Sequence, residues 1–107
     1  MTYKLTSTGA SFDGGSLIQG ATSRASSTNI ELSSITGNVV EITGTSVITN
    51  MFHVTPGKVY YFYSTDVAGC KITHGNNIFC HQAINIQLSG NNIAIGAGIA
   101  TNKILIR

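Results

Sequence analysis

Two cysteines and two histidines fall in one stretch: Cys70, His74, Cys80 and His81. These residue types hold zinc, and the stretch contains a Cys-x3-His pair and an adjacent Cys-His pair. Structural zinc sites draw ligands in Cys-x2-4-Cys or His-x3-5-His pairs, however, and in a strand Cys80 and His81 point to opposite faces. The spacing therefore reads as structural, and no metal or cofactor is expected. In a threefold assembly His53 and His74 would offer an alternative axial ion site. Cys70 and Cys80 would also suit a disulfide across a hairpin turning at Gly75-Asn76. Two buried thiols serving as small apolar residues is the favoured alternative, in keeping with a reducing cytoplasm.

General acid-base work needs positioned carboxylates, and the acidic residues are only Asp13, Glu31, Glu41 and Asp66, far apart in sequence. There is no Gly-x-Ser-x-Gly elbow, Walker loop or dinucleotide fingerprint, and Gly14-Gly15-Ser16 lacks the lysine and preceding strand of a phosphate loop. An enzyme is not expected. The aromatic run Tyr60-Tyr61-Phe62-Tyr63 is the strongest binding candidate. Alternation puts Tyr61 and Tyr63 on one side with Val59, and Tyr60 and Phe62 on the other, so one pair faces core and the other an interface or ligand. Tyr60, Tyr61 and Tyr63 are the candidates for stacking on glycan.

The elements that must position these residues read as strands. Fourteen Ile, thirteen Thr and six Val make about 31% of the 107 residues β-branched, a class that packs well on a pleated surface. No long window keeps a helical apolar stripe free of breakers, so no substantial helix is expected. Strands are expected at 39–43, 46–50, 58–64, 70–73, 78–81, 84–88, 93–95 and 103–107. Turn signals separate them at Gly37-Asn38, Thr43-Gly44-Thr45, Pro56-Gly57, Gly75-Asn76-Asn77, Ser89-Gly90-Asn91-Asn92 and Gly96-Ala97-Gly98. Gly75-Asn76-Asn77-Ile78 recurs as Gly90-Asn91-Asn92-Ile93, as a stack of short strands and turns in a prism or short solenoid would require. The fold class is all-β, a short-stranded sandwich or β-prism completed by trimerisation. Residues 1–30, rich in Ser, Thr and Gly, read as an extended arm, and residues 31–107 as the body.

Charge narrows the partners. Only 9% of residues are charged, with a formal net charge of +2, and 42% are hydrophobic. A surface this short of charge favours self-association, as does the incomplete burial open to so short a chain. The six basic residues are scattered singly, which argues against nucleic acid. No apolar stretch approaches the roughly 20 residues of a membrane-spanning helix, and the start shows no signal-peptide pattern.

From residue 35 to 107 the order of features resembles a module of tailed-phage tail fibres, tailspikes and related virion proteins. The segments are Gly37-Asn38-Val39-Val40-Glu41-Ile42-Thr43-Gly44-Thr45-Ser46-Val47-Ile48-Thr49, Thr55-Pro56-Gly57-Lys58-Val59-Tyr60-Tyr61-Phe62-Tyr63 and Ile72-Thr73-His74-Gly75-Asn76-Asn77-Ile78. They resemble an "ITGTxxI" strand pair, a "PGxxhhhhF" strand and an "hTHxxNh" turn, over about two thirds of the chain. The resemblance implies a structural homotrimer on the surface of a virion, made in the host bacterial cytoplasm: a capsid decoration, head fibre or fibre knob. A short chain opening on Met1 with a polar arm fits a decoration or head-fibre protein better than the tip of a long fibre. Its expected partners are itself and, through residues 1–30, other virion proteins. The rival expectation is a tail-fibre tip that binds a receptor or host surface glycan.

Overall fold

The structure, a computed structural model, describes residues 21–35, 37–90 and 92–107. Ten strands form among the described residues: β1 (Ala21–Ala25), β2 (Asn29–Glu31), β3 (Val39–Thr43), β4 (Asn50–Phe52), β5 (Val59–Tyr63), β6 (Cys70–Ile72), β7 (Ile78–Cys80), β8 (Ile86–Leu88), β9 (Ile93–Ala100) and β10 (Lys103–Ile106). The only helical element among the described residues is a 3-10 turn at His81–Ala83. The fold is all-β. Six strands make one sheet in the order β1-β3-β5-β9-β10-β7, and β2-β4 and β6-β8 make two small sheets.

The first half is a coil rather than a meander. β1, β3 and β5 pair in parallel, as do β2 and β4, so the chain passes from the large sheet to a small one and back while advancing one strand each time. Val39 lies opposite Ala21 and Tyr61 opposite Val39; Asn50 lies opposite Asn29. Parallel neighbours need a crossover, and here the crossover is a strand of the other sheet, as in solenoids. Like residues stack in such a coil. The Asn50 carboxamide donates to that of Asn29 at 3.0 Å. Asn77 then occupies the next position of the ladder with its side chain alone, accepting the Met51 N–H at 3.1 Å and donating to the Met51 carbonyl.

The second half closes the sheet with an antiparallel hairpin, β9 and β10, joined by Thr101-Asn102. Inward side chains from all three sheets form one core that includes Ile30, Val40, Ile42, Ile48, Met51, Tyr60, Phe62, Ile72, Ile78, Leu88, Ile104 and Ile106. Each fully buried aliphatic or aromatic side chain contributes about 1.5–3 kcal/mol by leaving water. The inward positions of β9, in contrast, are Ala94, Gly96 and Gly98. The stretch read from sequence as a turn at Gly96-Ala97-Gly98 is thus mid-strand. Its glycines are there for close approach: a Cβ on Gly96 would sit 2.9 Å from the Phe62 ring and one on Gly98 only 2.2 Å from the Thr55 carbonyl oxygen.

Elsewhere the punctuation matches. The Lys58 N–H donates to the Thr55 carbonyl at 3.1 Å across Pro56-Gly57, with Gly57 at φ +84°, the conformation a type II turn requires of its third residue. Gly75 and Ile78 exchange both backbone hydrogen bonds across Asn76 and Asn77, and Asn76 adopts φ 52°. The later copy of that motif includes Asn91, outside the described residues; the Asn92 N–H donates to Ser89 there. The strand expected at 46–50 instead occupies Asn50–Phe52, with Ile48 making a lone bridge to Ile72.

Of the arm expected over residues 1–30, residues 1–20 lie outside the described residues. Residues 21–30 are part of the sheets, and Ile30 is in the core. Sheet pairing is therefore already present ten residues before the expected boundary.

Gly98→Ala should lower stability by about 2 kcal/mol or more, because the Thr55 backbone must move to admit a methyl group. Gly90→Ala, with nothing within 4 Å of the added carbon, should stay within about 0.5 kcal/mol of the parent in urea unfolding.

Candidate interaction surface

Alternation along each strand divides the six-stranded sheet into a buried and an outward face. Tyr60 and Phe62 point in and are fully buried, their rings stacked 5.9 Å apart. The Tyr60 hydroxyl accepts the Thr55 N–H at 2.9 Å. Tyr60 is therefore a core residue and presents no ring face to a glycan, whereas Tyr61 and Tyr63 lie on the outward face and are partly exposed. Alternation alone had divided the run into these same two pairs.

Register assembles the outward face into rows. Ser23, Glu41, Tyr63 and Ile93 form one row. Val39, Tyr61 and Ile95 form the next, continued by Arg107, which exchanges backbone hydrogen bonds with Ile95. Val59, Ala97, Leu105 and Phe79 form the third. Val59, Phe79, Ile93, Ile95, Ile99 and Leu105 are all exposed. An outward sheet face ordinarily alternates toward polar residues; this one is apolar across its two central strands, β5 and β9.

The two ends of the face differ. At the β3 end Glu41 accepts from the Ser23 hydroxyl at 2.9 Å and from the Thr65 hydroxyl at 3.2 Å. At the β10 end, Lys103 and Arg107 flank Leu105, with the Lys103 Nζ 5.1 Å from the centre of the Phe79 ring. There the surface dips into a groove of about 480 Å3, floored by Val59, Ala97 and Leu105 and walled by Phe79, His81 and Arg107.

The other sequence candidates do not converge. No group of three or more His, Cys, Asp or Glu side chains suited to a metal occurs among the described residues. Cys70 and Cys80 are free, buried thiols. Burial raises both above the ordinary thiol value, and the nearby Asp66 charge adds to the effect at Cys70. His81 is exposed next to buried Cys80 and opens the 3-10 turn instead of continuing the strand expected over 78–81. His74 and His53 hold separate partners: the His74 Nδ1 accepts the Cys80 N–H at 3.1 Å, and the His53 Nδ1 lies 2.5 Å from a Glu31 carboxylate oxygen.

The carboxylates are likewise apart. Asp66 accepts the Ala68 N–H within its own turn, Glu41 belongs to the sheet face and Glu31 to the His53 pair; Asp13 lies outside the described residues. The Ser33 side chain, followed by His53 and the Ser33 N–H, holds the Glu31 carboxyl below its ordinary value of 4.5.

Two outcomes follow. A thiol reagent should leave Cys70 and Cys80 unmodified in the folded protein at pH 8 and label both in denaturant, since neither thiolate forms readily while buried. A carboxyl lowered on folding stabilises the fold above its unfolded value, and that gain is lost as pH falls through the folded value. Ser33→Ala should therefore move the Glu31 NMR titration up toward 4.5 and weaken the acid dependence of stability that Glu31 supplies.

Comparison with family models, with curated proteins and with solved structures gives no match to the chain.

Proposed function

We propose that this chain is a non-enzymatic structural protein that works as a homotrimer, and that its place is the surface of a tailed-phage virion as a decoration, head fibre or fibre knob. The observation that carries the assembly reading is the apolar outward face centred on β5 and β9 and continued by β10 and β7, six of whose large side chains lie exposed in or beside register-aligned rows. A lone domain gains nothing from keeping such a face in water, and contiguous exposed apolar surface is characteristic of interaction sites. Low charge removes the repulsion that would keep copies apart. The virion assignment rests on the resemblance of residues 35–107 to tail-fibre and tailspike modules, and the coiled parallel strands are consistent with it. The Ser/Thr/Gly-rich segment within residues 1–30 is the one proposed to engage other virion proteins.

A receptor- or glycan-binding tip is the second reading, favoured by the partly exposed Tyr61 and Tyr63 rings. In that reading the two rings stack on sugar and Tyr60 supports them from within.

Light scattering on the purified chain should return a mass near three times 11.2 kDa. A monomer at high micromolar concentration would overturn the assembly reading. Peptides of the chain recovered from purified particles, in a copy number divisible by three, are the expected result for the virion assignment; particles devoid of the chain would remove it.

A further inference from the structure

We propose that the outward sheet face docks head to tail on a second copy of this chain. The protruding acidic end of one copy, Glu41, Tyr63 and Ile93, seats in the basic groove of the next copy at Leu105 and Arg107. This rests on the assembly reading above and specifies which surface performs it.

The two ends complement each other in charge and in shape. Glu41 is the one charged residue on the outward side of β3, whereas β10 presents Lys103 and, just beyond its end, Arg107, with no charge on the outward sides of β5 and β9 between them. Glu41 and Arg107 cannot pair within one chain. Their strands are separated by β5 and β9, which places them three strand spacings apart, about 14 Å. The Glu41 carboxylate is held by two hydroxyl groups, Ser23 and Thr65, and so faces out without a cationic partner in its own sheet row. In shape, Ile93 beside Tyr63 is the most exposed large side chain of the face at 66%, while the groove floored by Val59, Ala97 and Leu105 lies at the other end.

The six exposed apolar side chains of the face are contiguous across four strands, and contiguous exposed apolar surface marks an interaction site. Because the two ends of one face carry opposite charge, a second copy of the same chain suits it as the occupant. Taken head to tail, with the groove of each copy filled by a different neighbour, the contact is heterologous, and such a contact forms a ring where its rotation closes and an open filament where it does not. The proposed trimer requires a rotation that closes after three copies. The hydrophobic centre supplies affinity, and the charged ends set register and direction.

The test compares Ile93→Asp, which spoils the protruding end, with Leu105→Asp, which spoils the groove. Val67→Asp, at a 90% exposed position in the loop after β5, serves as control. Circular dichroism and urea unfolding establish that each variant is folded; if Leu105→Asp is not, Phe79→Asp on the groove wall takes its place. Light scattering should find both face variants monomeric and the control unchanged. An equimolar mixture of the two face variants should recover a mass of two copies, because one intact protruding end still meets one intact groove. Face variants that keep the parent mass would overturn this interface while leaving the assembly reading in place. A mixture that stays monomeric would overturn head-to-tail pairing, and a monomeric parent would bring down the assembly reading itself.

Discussion

The packing of two aromatic rings against a strand with almost no inward side chains holds the two halves of this protein together. Tyr60 lies opposite Gly96 and Phe62 opposite Ala94, so β5 supplies the volume that β9 lacks. That exchange joins a parallel coil to an antiparallel hairpin, two architectures with different hydrogen-bond geometry, across a single strand pair. The Tyr60 hydroxyl extends the same constraint to the Thr55 turn, and Gly98 lies against that turn from the other side. Close packing of this kind admits little change of volume on either strand.

Much of the strand pattern was legible because its cause is local. Val39 to Thr43 alternates between the outward Val39, Glu41 and Thr43 and the buried Val40 and Ile42, and its bounds in the structure match those read from sequence. The division of the tyrosine run into an inner and an outer pair followed from a period of two. Strand direction carries no such signal: parallel and antiparallel strands alternate alike, and the coil of β1 to β5 depends on pairing across about twenty residues. β1 itself, Ala-Thr-Ser-Arg-Ala, has no large apolar residue to mark it, and it is a strand because β3 offers it a partner. The glycines of β9 failed as punctuation for a related reason. A glycine required by a neighbouring ring looks, in sequence, the same as one required by a turn.

The interaction surface was half visible. Its tyrosines were singled out from sequence, but Tyr60 belongs to the core, and of the residues that make the face apolar, Ile93, Ile95 and Leu105 read simply as the alternate positions of amphipathic strands and Ala97 as part of a turn. What sets β9 apart is that both of its sides are apolar, one filled by core and one not. That arrangement becomes apparent only when register lines up Val59, Ala97, Leu105 and Phe79 from four different strands.

The Asn77 side chain has a bearing on how the coil ends. By taking both hydrogen-bonding groups of Met51, its carboxamide occupies the place where the backbone of a further turn would lie. An open ladder invites any passing extended segment to extend it, and sheet proteins guard such edges. Here a single amide acts as a full stop. The next pass of the chain pairs through its backbone at Ile48, with Ile72, and at Met51 further strand addition is blocked by a side chain instead of a charge, which suits a protein that has few charges to spare.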